Sequence, residues 1–397
     1  AFVADDVFVA VDVLERRRGG WNLVEVKSTT KAKEEHVPDV AIQLHVLESS
    51  GIGVKRTDVM HLDTACTYPD LSNLFARTDV TREARALLPD VPGELRRLKR
   101  AVSGPLPQVD PGPHCTDPHE CPFIDRCSPA LPEHHVSTLY SIGRRVDALL
   151  ADGYETIHDL PDGVALRGPA VRQVRSVRSG KLVVEPSLAG ALSAIEAPAA
   201  FLDFETINPP IPVWDGCHPY EPIAVQMSCH VRGARGGLAH HAFLAEGPGD
   251  PRPAIADAVI AACEGASTVV AYNASFERAR LEHLAANVPG RKRALLDVSR
   301  RLVDLLPVVR DHVYHPGFGG SFGLKRVAPA LVRGLDYDDL DVGEGATASN
   351  LLETLLLDEA AIPARERAKL RQDLLAYCER DTLATVKVYE RLLQLSR

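Results

Sequence analysis

The sequence contains no apolar run of the roughly 18–20 residues that a membrane-crossing helix needs, so no contact with a membrane is expected. It has no internal repeat and no long low-complexity tract, which sets aside solenoids and disordered arrays. A G-x4-G-K-[ST] loop is missing, so any nucleotide-driven motor would be a separate chain. An excess of positive charge is also missing: the formal net charge is −9. That excludes a protein that coats nucleic acid by bulk charge, but not an acidic site with local basic contacts. Eight cysteines in 397 residues are too few for a disulfide scaffold. Three of them cluster tightly in a chain without a secretion signal, which points to a metal or redox cluster in a reducing compartment, with the cytoplasm as the expected location. Residue 1 lies inside the strand-like stretch AFVADDVFVAVDV, without an initiator Met or a signal-peptide pattern. The natural protein is therefore expected to begin upstream.

The composition itself is that of an ordinary globular protein, 45% hydrophobic and 25% charged. The length exceeds one ordinary core, so two or three domains are expected. Residues 1–130 begin with β-type alternation and end in a Pro/Gly-rich segment bearing Cys115, Cys121 and Cys127. Residues 131–198 read as an Arg-rich helical linker region. From 199 to 397, apolar strands (FLDFET, IAVQMSCHV, STVVAYN) are followed by amphipathic helices, an α/β pattern.

The stretch VFVAVDVLERRRGGWNLVEVKSTT reads as a hairpin turning near Arg18–Gly19. Folding it there sets Asp12 across from Glu25, with Lys27 two residues on and therefore on the face of Glu25. Two carboxylates and an ammonium suit phosphodiester hydrolysis: the acids hold a divalent cation and the Lys orients or helps deprotonate a water. A surface salt-bridge cluster would look the same. HVPDVAIQLHVLESSGI reads as a helix ending at Gly51, with Gln43 able to face the same site. In order and approximate spacing, Asp12, Glu25, Lys27 and Gln43 resemble the PD-(D/E)xK nucleases of the RecB/AddB type. Leu47 departs from that pattern, which often has Tyr four residues after the Gln, and the His and Cys expected before the first strand lie outside this chain.

HCTDPHECPFIDRC gives C-x5-C-x5-C, a spacing at which thiolates converge on a soft metal, an iron–sulfur cluster or zinc. Three structural loop cysteines are the bland alternative. The RecB/AddB resemblance implies a [4Fe–4S] cluster pinning the end of the nuclease domain to its start. A fourth ligand is not evident; Cys66 is the nearest cysteine, and His114 or His119 would complete a zinc site instead.

In FLDFET, Asp203 and Glu205 are two apart on a strand and share one face, where like charges repel unless a cation lies between them. VVAYNASFERARLEHLA runs from a strand into a helix, with Asn273 near its cap and Glu277 in its first turns. In the helical stretch LLAYCERDTLATVKVYERLL, Tyr377 and Asp381 stand at i and i+4 on one face. Asp203, Glu205, Glu277 and Asp381 together suit two Mg²⁺ or Mn²⁺ ions that clamp the attacking water and the leaving oxygen, with Tyr377 orienting the water. The order Asp-x-Glu, Asn-x2-Phe-acid, Tyr-x3-Asp resembles the Tyr-type DnaQ-like (DEDD) exonucleases of the RNase H-like fold. The middle motif departs from them, ending in Phe276–Glu277 where Phe-Asp is usual. Asp304 in RLVDLL is a reserve ligand or, in the blander reading, a capping acid. The glycine-rich stretch YHPGFGGSFGLKRVAPALV leads into a helix, and its Ser321, Lys325 and Arg326, together with Asn273, are candidates for contacting the nucleic-acid substrate. The paired histidines at 134–135 and 240–241 match no ligand spacing and read as surface residues.

The chain as a whole resembles bacterial fusions of a RecB-like nuclease, with its cysteine cluster, to a C-terminal DnaQ-like domain. That implies an N-terminal restriction-endonuclease-like domain, a small helical linker and a C-terminal RNase H-like domain. The implied function is metal-dependent hydrolysis of nucleic acid, DNA rather than RNA and single strands from the 3′ end at the C-terminal site. A separate helicase or defence partner is also implied. The competing expectation is a binding or scaffolding component with one or both sites inert.

Overall fold

A computed structural model of the chain describes residues 1–127, 130–337, 340, 342 and 344–397. The fold is α/β, in two compact units: residues 1–130 with 209–221, and residues 131–208 with 222–397.

The first unit begins with a small hairpin, β1 (Phe2–Ala4) and β2 (Val7–Val9). The hairpin expected from the sequence follows as β3 (Val13–Arg17) and β4 (Gly20–Val26), paired from Val13↔Val24 to Arg17↔Gly20 around Arg18–Gly19. Gly19 takes the left-handed backbone (φ 85°) that such a tight turn requires. After β4 come α1 (His36–Ser49), β5 (Val54–Leu62), β6 (Phe75–Asp79), α2 (Thr81–Leu87), α3 (Val91–Ser103) and the short α4 (Ile124–Cys127). The sheet order is β3-β4-β5-β6. Because β4 and β5 are parallel, the chain must cross over between them, and α1 is that crossover. Its Val40, Leu44 and Leu47 recur at helical spacing and pack, fully buried, on Leu23 and Val59 of the sheet. Burying each such side chain contributes roughly 1.5–3 kcal/mol. Leu47, the departure from the RecB/AddB pattern, is thus a core residue. Gly51 (φ 81°) ends α1, with its N–H on Glu48 O and the Ile52 N–H on Leu47 O, a Schellman closure.

The second unit continues with α5 (Arg145–Ala151), α6 (Pro169–Ser179), β7 (Val183–Val184), α7 (Leu188–Leu192), β8 (Ala199–Ile207), β9 (Ile223–Arg232) and β10 (Leu238–Leu244). Next are α8 (Arg252–Ala262), β11 (Thr268–Ala271), α9 (Ser275–Asn287), α10 (Lys292–Arg300), β12 (Leu302–Asp304) and α11 (Leu305–His312). It closes with β13 (Val313–Tyr314), α12 (Leu324–Leu331), α13 (Gly345–Leu357) and α14 (Ala364–Leu395). The main sheet has the order β10-β9-β8-β11-β12; β8, β11 and β12 run parallel, and β9 and β10 are antiparallel additions.

β8 is the central strand and its two faces enter different cores. Ala200, Leu202 and Phe204 pack with residues of α8, α9 and α10, such as Ile255, Leu281 and Leu295. Ala199 and Phe201 face the other way, onto Ala384, Tyr389 and Leu392 of α14. Residues 131–198 complete that second core through Leu139, Leu149, Ile157, Leu188 and Ile195. Their apolar faces enter the cluster shared with β8 and α14, so this helical stretch folds as part of the C-terminal unit. Asp203 and Glu205 continue the row of Ala199 and Phe201, and so fall on the α14 side of the sheet.

Candidate functional site

β8 is where the strand order reverses: the chain leaves it to β9 on one side and returns by β11 on the other. At such a switch point the helices part beyond the carboxyl ends of the strands and leave a crevice. A cleft of about 410 Å³ lies there, lined in part by Asp203, Tyr272, Asn273, Lys325 and Asp381.

Three carboxylates meet at this cleft. Asp203 and Glu205 come from β8 and Asp381 from α14, and one ligand oxygen of each lies within 4.8 Å of the others. Each is only partly accessible to solvent. Burial pushes the Asp203 carboxyl well above its usual range, reinforced by the charges of Asp381, Glu205 and Glu277. For Glu205, burial and then Asp381 push it up to about 8, against the opposing charge of Lys325. Burial raises Asp381 too, although hydrogen bonds from Tyr337 and Tyr377 oppose the shift. Negative charge is thus held together at a cost that a divalent cation would relieve.

Glu277, in the first turn of α9, stands beside this trio rather than in it. It is 3% exposed and its Oε2 has no hydrogen-bond partner. Burial raises it to about 7, while a side-chain hydrogen bond with Asp203 works the other way. Asp304 ends β12 and caps α11: its Oδ1 accepts the Leu306 and Asn273 amides at 2.9 and 3.0 Å. That is the capping role of the blander reading. Asn273 adopts the left-handed backbone (φ 70°) that Asn tolerates, which turns the chain from β11 into α9.

Around the trio lie two tyrosines and a lysine. The Tyr337 hydroxyl donates to Asp381 Oδ1 at 2.6 Å. Lys325 Nζ donates to the Tyr377 hydroxyl at 3.1 Å, and sits 4.9 Å from the Tyr377 ring centre and 5.3 Å from that of Tyr337. Burial and the neighbouring carboxylates hold both phenols in their neutral form. Cys378 Sγ approaches Asp203 Oδ2 at 3.7 Å. Ser321 and Arg326 are exposed; Ser321 Oγ accepts the Gly323 amide just ahead of α12.

The N-terminal unit holds a second acidic cluster. Glu25 at the end of β4 is buried, and its Oε2 accepts from Gln43 Nε2 at 2.6 Å. Lys27 Nζ donates to Glu25 Oε1 at 2.6 Å and to Asp39 Oδ2 at 2.5 Å. Burial raises the Glu25 carboxyl despite Lys27 and Gln43. Burial also works against a charged Asp39, but the hydrogen bonds from Lys27 and Gln43 prevail and hold it low. Asp39 was not among the residues singled out in the sequence, although it lies four before Gln43 and so shares its helix face. Asp12 is exposed and its Oδ2 accepts the Val26 amide at 2.8 Å. No set of three metal-capable groups within 4.8 Å includes Asp12 among the described residues.

The cysteines are graded in exposure: Cys115 is buried, Cys121 half-buried and Cys127 exposed. Cys115 Sγ accepts the Gly112 amide at 3.5 Å, and His114 and His119 are exposed. Cys66 is fully buried beside Leu62 and Leu74, with its thiol directed to Asp70 O. None of these residues belongs to a set of three metal-capable groups among the described residues.

His230, His240 and Glu379 do form such a set, which sequence reading missed. The register of the β9–β10 hairpin pairs His240 with His230. Folding HVRGARGGLAHH about its glycines would have shown that pairing. His135, expected at the surface, is buried and accepts the Ser137 amide on Nδ1, because it opens a short helical turn.

Among the described residues, no helix is long and apolar enough to cross a membrane. A family model described as a domain of unknown function, DUF2779, matches residues 200–323. That span includes Asp203, Glu205 and Glu277 but ends before Lys325, Tyr377 and Asp381. No curated protein and no solved structure matches the chain.

Proposed function

We propose that the chain is a divalent-metal-dependent nuclease that hydrolyses phosphodiester bonds at the cleft beyond β8, trimming single strands from the 3′ end and DNA in preference to RNA. The observation that carries this reading is the trio Asp203, Glu205 and Asp381, three half-buried carboxylates converging within 4.8 Å with their proton affinities raised. An all-oxygen donor set of this kind fits Mg²⁺ or Mn²⁺, and the unpartnered Glu277 Oε2 supplies a further oxygen at its side. Bound there, the cation supplies charge neutralisation for the phosphodiester and an acidified water.

The chain's own groups do the rest. Lys325 places an ammonium at the cleft for a phosphate oxygen and holds the Tyr377 hydroxyl through its hydrogen bond. Tyr377 stays protonated, so it orients a water and does not act as its base. Tyr337 fixes the Asp381 carboxylate in place. This chemistry agrees with the DnaQ-like resemblance, and the fold families of both units rest on resemblance as well.

In the N-terminal unit the PD-(D/E)xK-like cluster is a second hydrolytic site under the same reading. One observation favours a binding role there instead: Lys27 already stands between Glu25 and Asp39.

Labelled single- and double-stranded DNA and RNA, incubated with Mg²⁺ or Mn²⁺, test the proposal. Single-stranded DNA should be degraded fastest. Asp203→Asn should lower the rate at least about a thousandfold, the several kcal/mol of metal stabilisation at ~1.4 kcal/mol per tenfold. Equal degradation by the variant would sink the C-terminal assignment. Tyr377→Phe should lower kcat roughly a hundredfold and leave KM unchanged, the lower range for a lost proton-handling group.

A further inference from the structure

A second donor set faces α14 one strand away from the carboxylates, and it contains nitrogen. On β9, Ser228 is paired with Asp203 of β8, and His230 is the next residue along the same face. His230 and His240 are direct cross-strand partners. Their imidazoles stack with centroids 4.4 Å apart and planes 26° from parallel. From α14, Glu379 Oε1 comes to 3.6 Å of His240 Nδ1. That is beyond hydrogen-bond range, so the carboxylate is near the ring without being bound to it.

The other ring nitrogens are already engaged. His230 Nδ1 pairs with Thr382 Oγ1 at 2.8 Å and His240 Nε2 with Ser228 Oγ at 2.9 Å. The two hydroxyls pair with each other at 2.7 Å. A histidine held on one nitrogen by an outer hydrogen bond keeps the other for a ligand. Here His230 Nε2 and His240 Nδ1 are the nitrogens left, and the exposed His240 ring would turn out of its stack to bring both onto one ion. His230 is 3% exposed, whereas His240 and Glu379 are exposed, so the set is anchored on its inner side and open to solvent on the other.

We propose that His230, His240 and Glu379 bind a transition-metal ion of the Zn²⁺ class, with a fourth position open to solvent. Two imidazoles and one carboxylate are a borderline donor set that suits Zn²⁺, whereas the all-carboxylate trio suits hard Mg²⁺ or Mn²⁺. The ion would tie β9, β10 and α14 together, and α14 is the helix that carries Tyr377 and Asp381. The site is independent of the nuclease reading and stands if that reading fails.

Zn²⁺ titration calorimetry, paired with the visible spectrum of the Co²⁺-substituted full-length protein, tests the proposal. In an Asp203→Asn background, which cripples the carboxylate trio, Zn²⁺ should still bind. His240→Ala or Glu379→Gln should then lower the number of tightly bound Zn²⁺ by one per chain and remove one set of tetrahedral Co²⁺ bands. Both residues are exposed, so neither change should alter the circular dichroism. Thr382→Val, which keeps all three ligands, should weaken this Zn²⁺ by roughly tenfold to a hundredfold. Zn²⁺ stoichiometry unaffected by either ligand substitution overturns the proposal, as does the absence of tight Zn²⁺ binding in the unmodified protein.

Discussion

The two acidic clusters meet the same electrostatic problem in different ways. In the N-terminal unit, Glu25 and Asp39 have an ammonium between them: Lys27 touches both, and its own pKa is raised because those contacts outweigh its burial. In the C-terminal unit no cationic side chain is hydrogen-bonded to Asp203, Glu205 or Asp381 among the described contacts. Lys325 donates to Tyr377, and its charge lowers the proton affinity of Glu205 and Asp381 through space. One cluster is neutralised within the protein, and the other has its charge partly suppressed by protons until a cation arrives. The difference teaches that paired acids alone say little about metal demand; what stands between them decides it.

That contrast can be broken by experiment, beginning with the largest effect. Lys27→Met removes the internal cation and leaves two like charges together. Breaking a pair of intermediate burial should cost about 2 kcal/mol, between the surface and buried cases. Urea unfolding measures it, and Mg²⁺ should raise the midpoint of this variant more than that of the unmodified protein. An unchanged midpoint would mean that Lys27 does not neutralise the cluster.

A smaller effect is expected from pH. Glu205 and Glu277 have folded pKa values of about 8 and about 7, above the 4.5 of an unperturbed Glu. These two carboxyls bind more protons folded than unfolded, while His230, held down to about 4 by burial, works the other way below its free value of 6.5. From pH 6.5 to 8 stability therefore falls as pH rises. The melting temperature of the metal-free protein should decline across that window, and saturating Mg²⁺ should flatten the decline. A metal-free melting temperature that rises across it would contradict the protonated state assigned to these acids.

The smallest effect concerns Glu277. Because it lies outside the trio, Glu277→Gln should weaken Mn²⁺ binding by less than about tenfold, compared with near-complete loss in Asp203→Asn; electron paramagnetic resonance of free Mn²⁺ reads both. Equal losses would make Glu277 a full ligand and the trio a quartet.

How much of this could be read from the sequence follows from the range of the signal. Period-two alternation put Asp203 and Glu205 on one face, and i,i+4 spacing did the same for Tyr377 and Asp381. Both rules are local and both relations hold in the structure. The hairpin around Arg18–Gly19 and the end of α1 at Gly51 were legible because turn geometry selects glycine. Tyr337 was not legible: it lies in an acidic stretch without periodicity, and only the packing near α14 brings its hydroxyl to Asp381. Glu277 stood out in the sequence as a departure, a Glu where Asp is usual, but a motif records order along the chain and not the distance between carboxylate oxygens. The helical stretch 131–198 looked separable because its apolar positions do not reveal which core they enter.

The segment 209–221 leaves the end of β8 and returns at the start of β9, yet it belongs to the N-terminal unit. There it exchanges backbone hydrogen bonds with Tyr68 through Gly216 and Cys217, and Tyr220 donates its hydroxyl to Ser28 O. A ribosome releases the chain in order, so the N-terminal unit cannot finish folding until residue 221 has emerged, well after its other 130 residues. For the same reason no single cleavage separates the two units. A fragment ending at 130 would lack a piece of itself, and one starting at 131 would carry that piece unpaired.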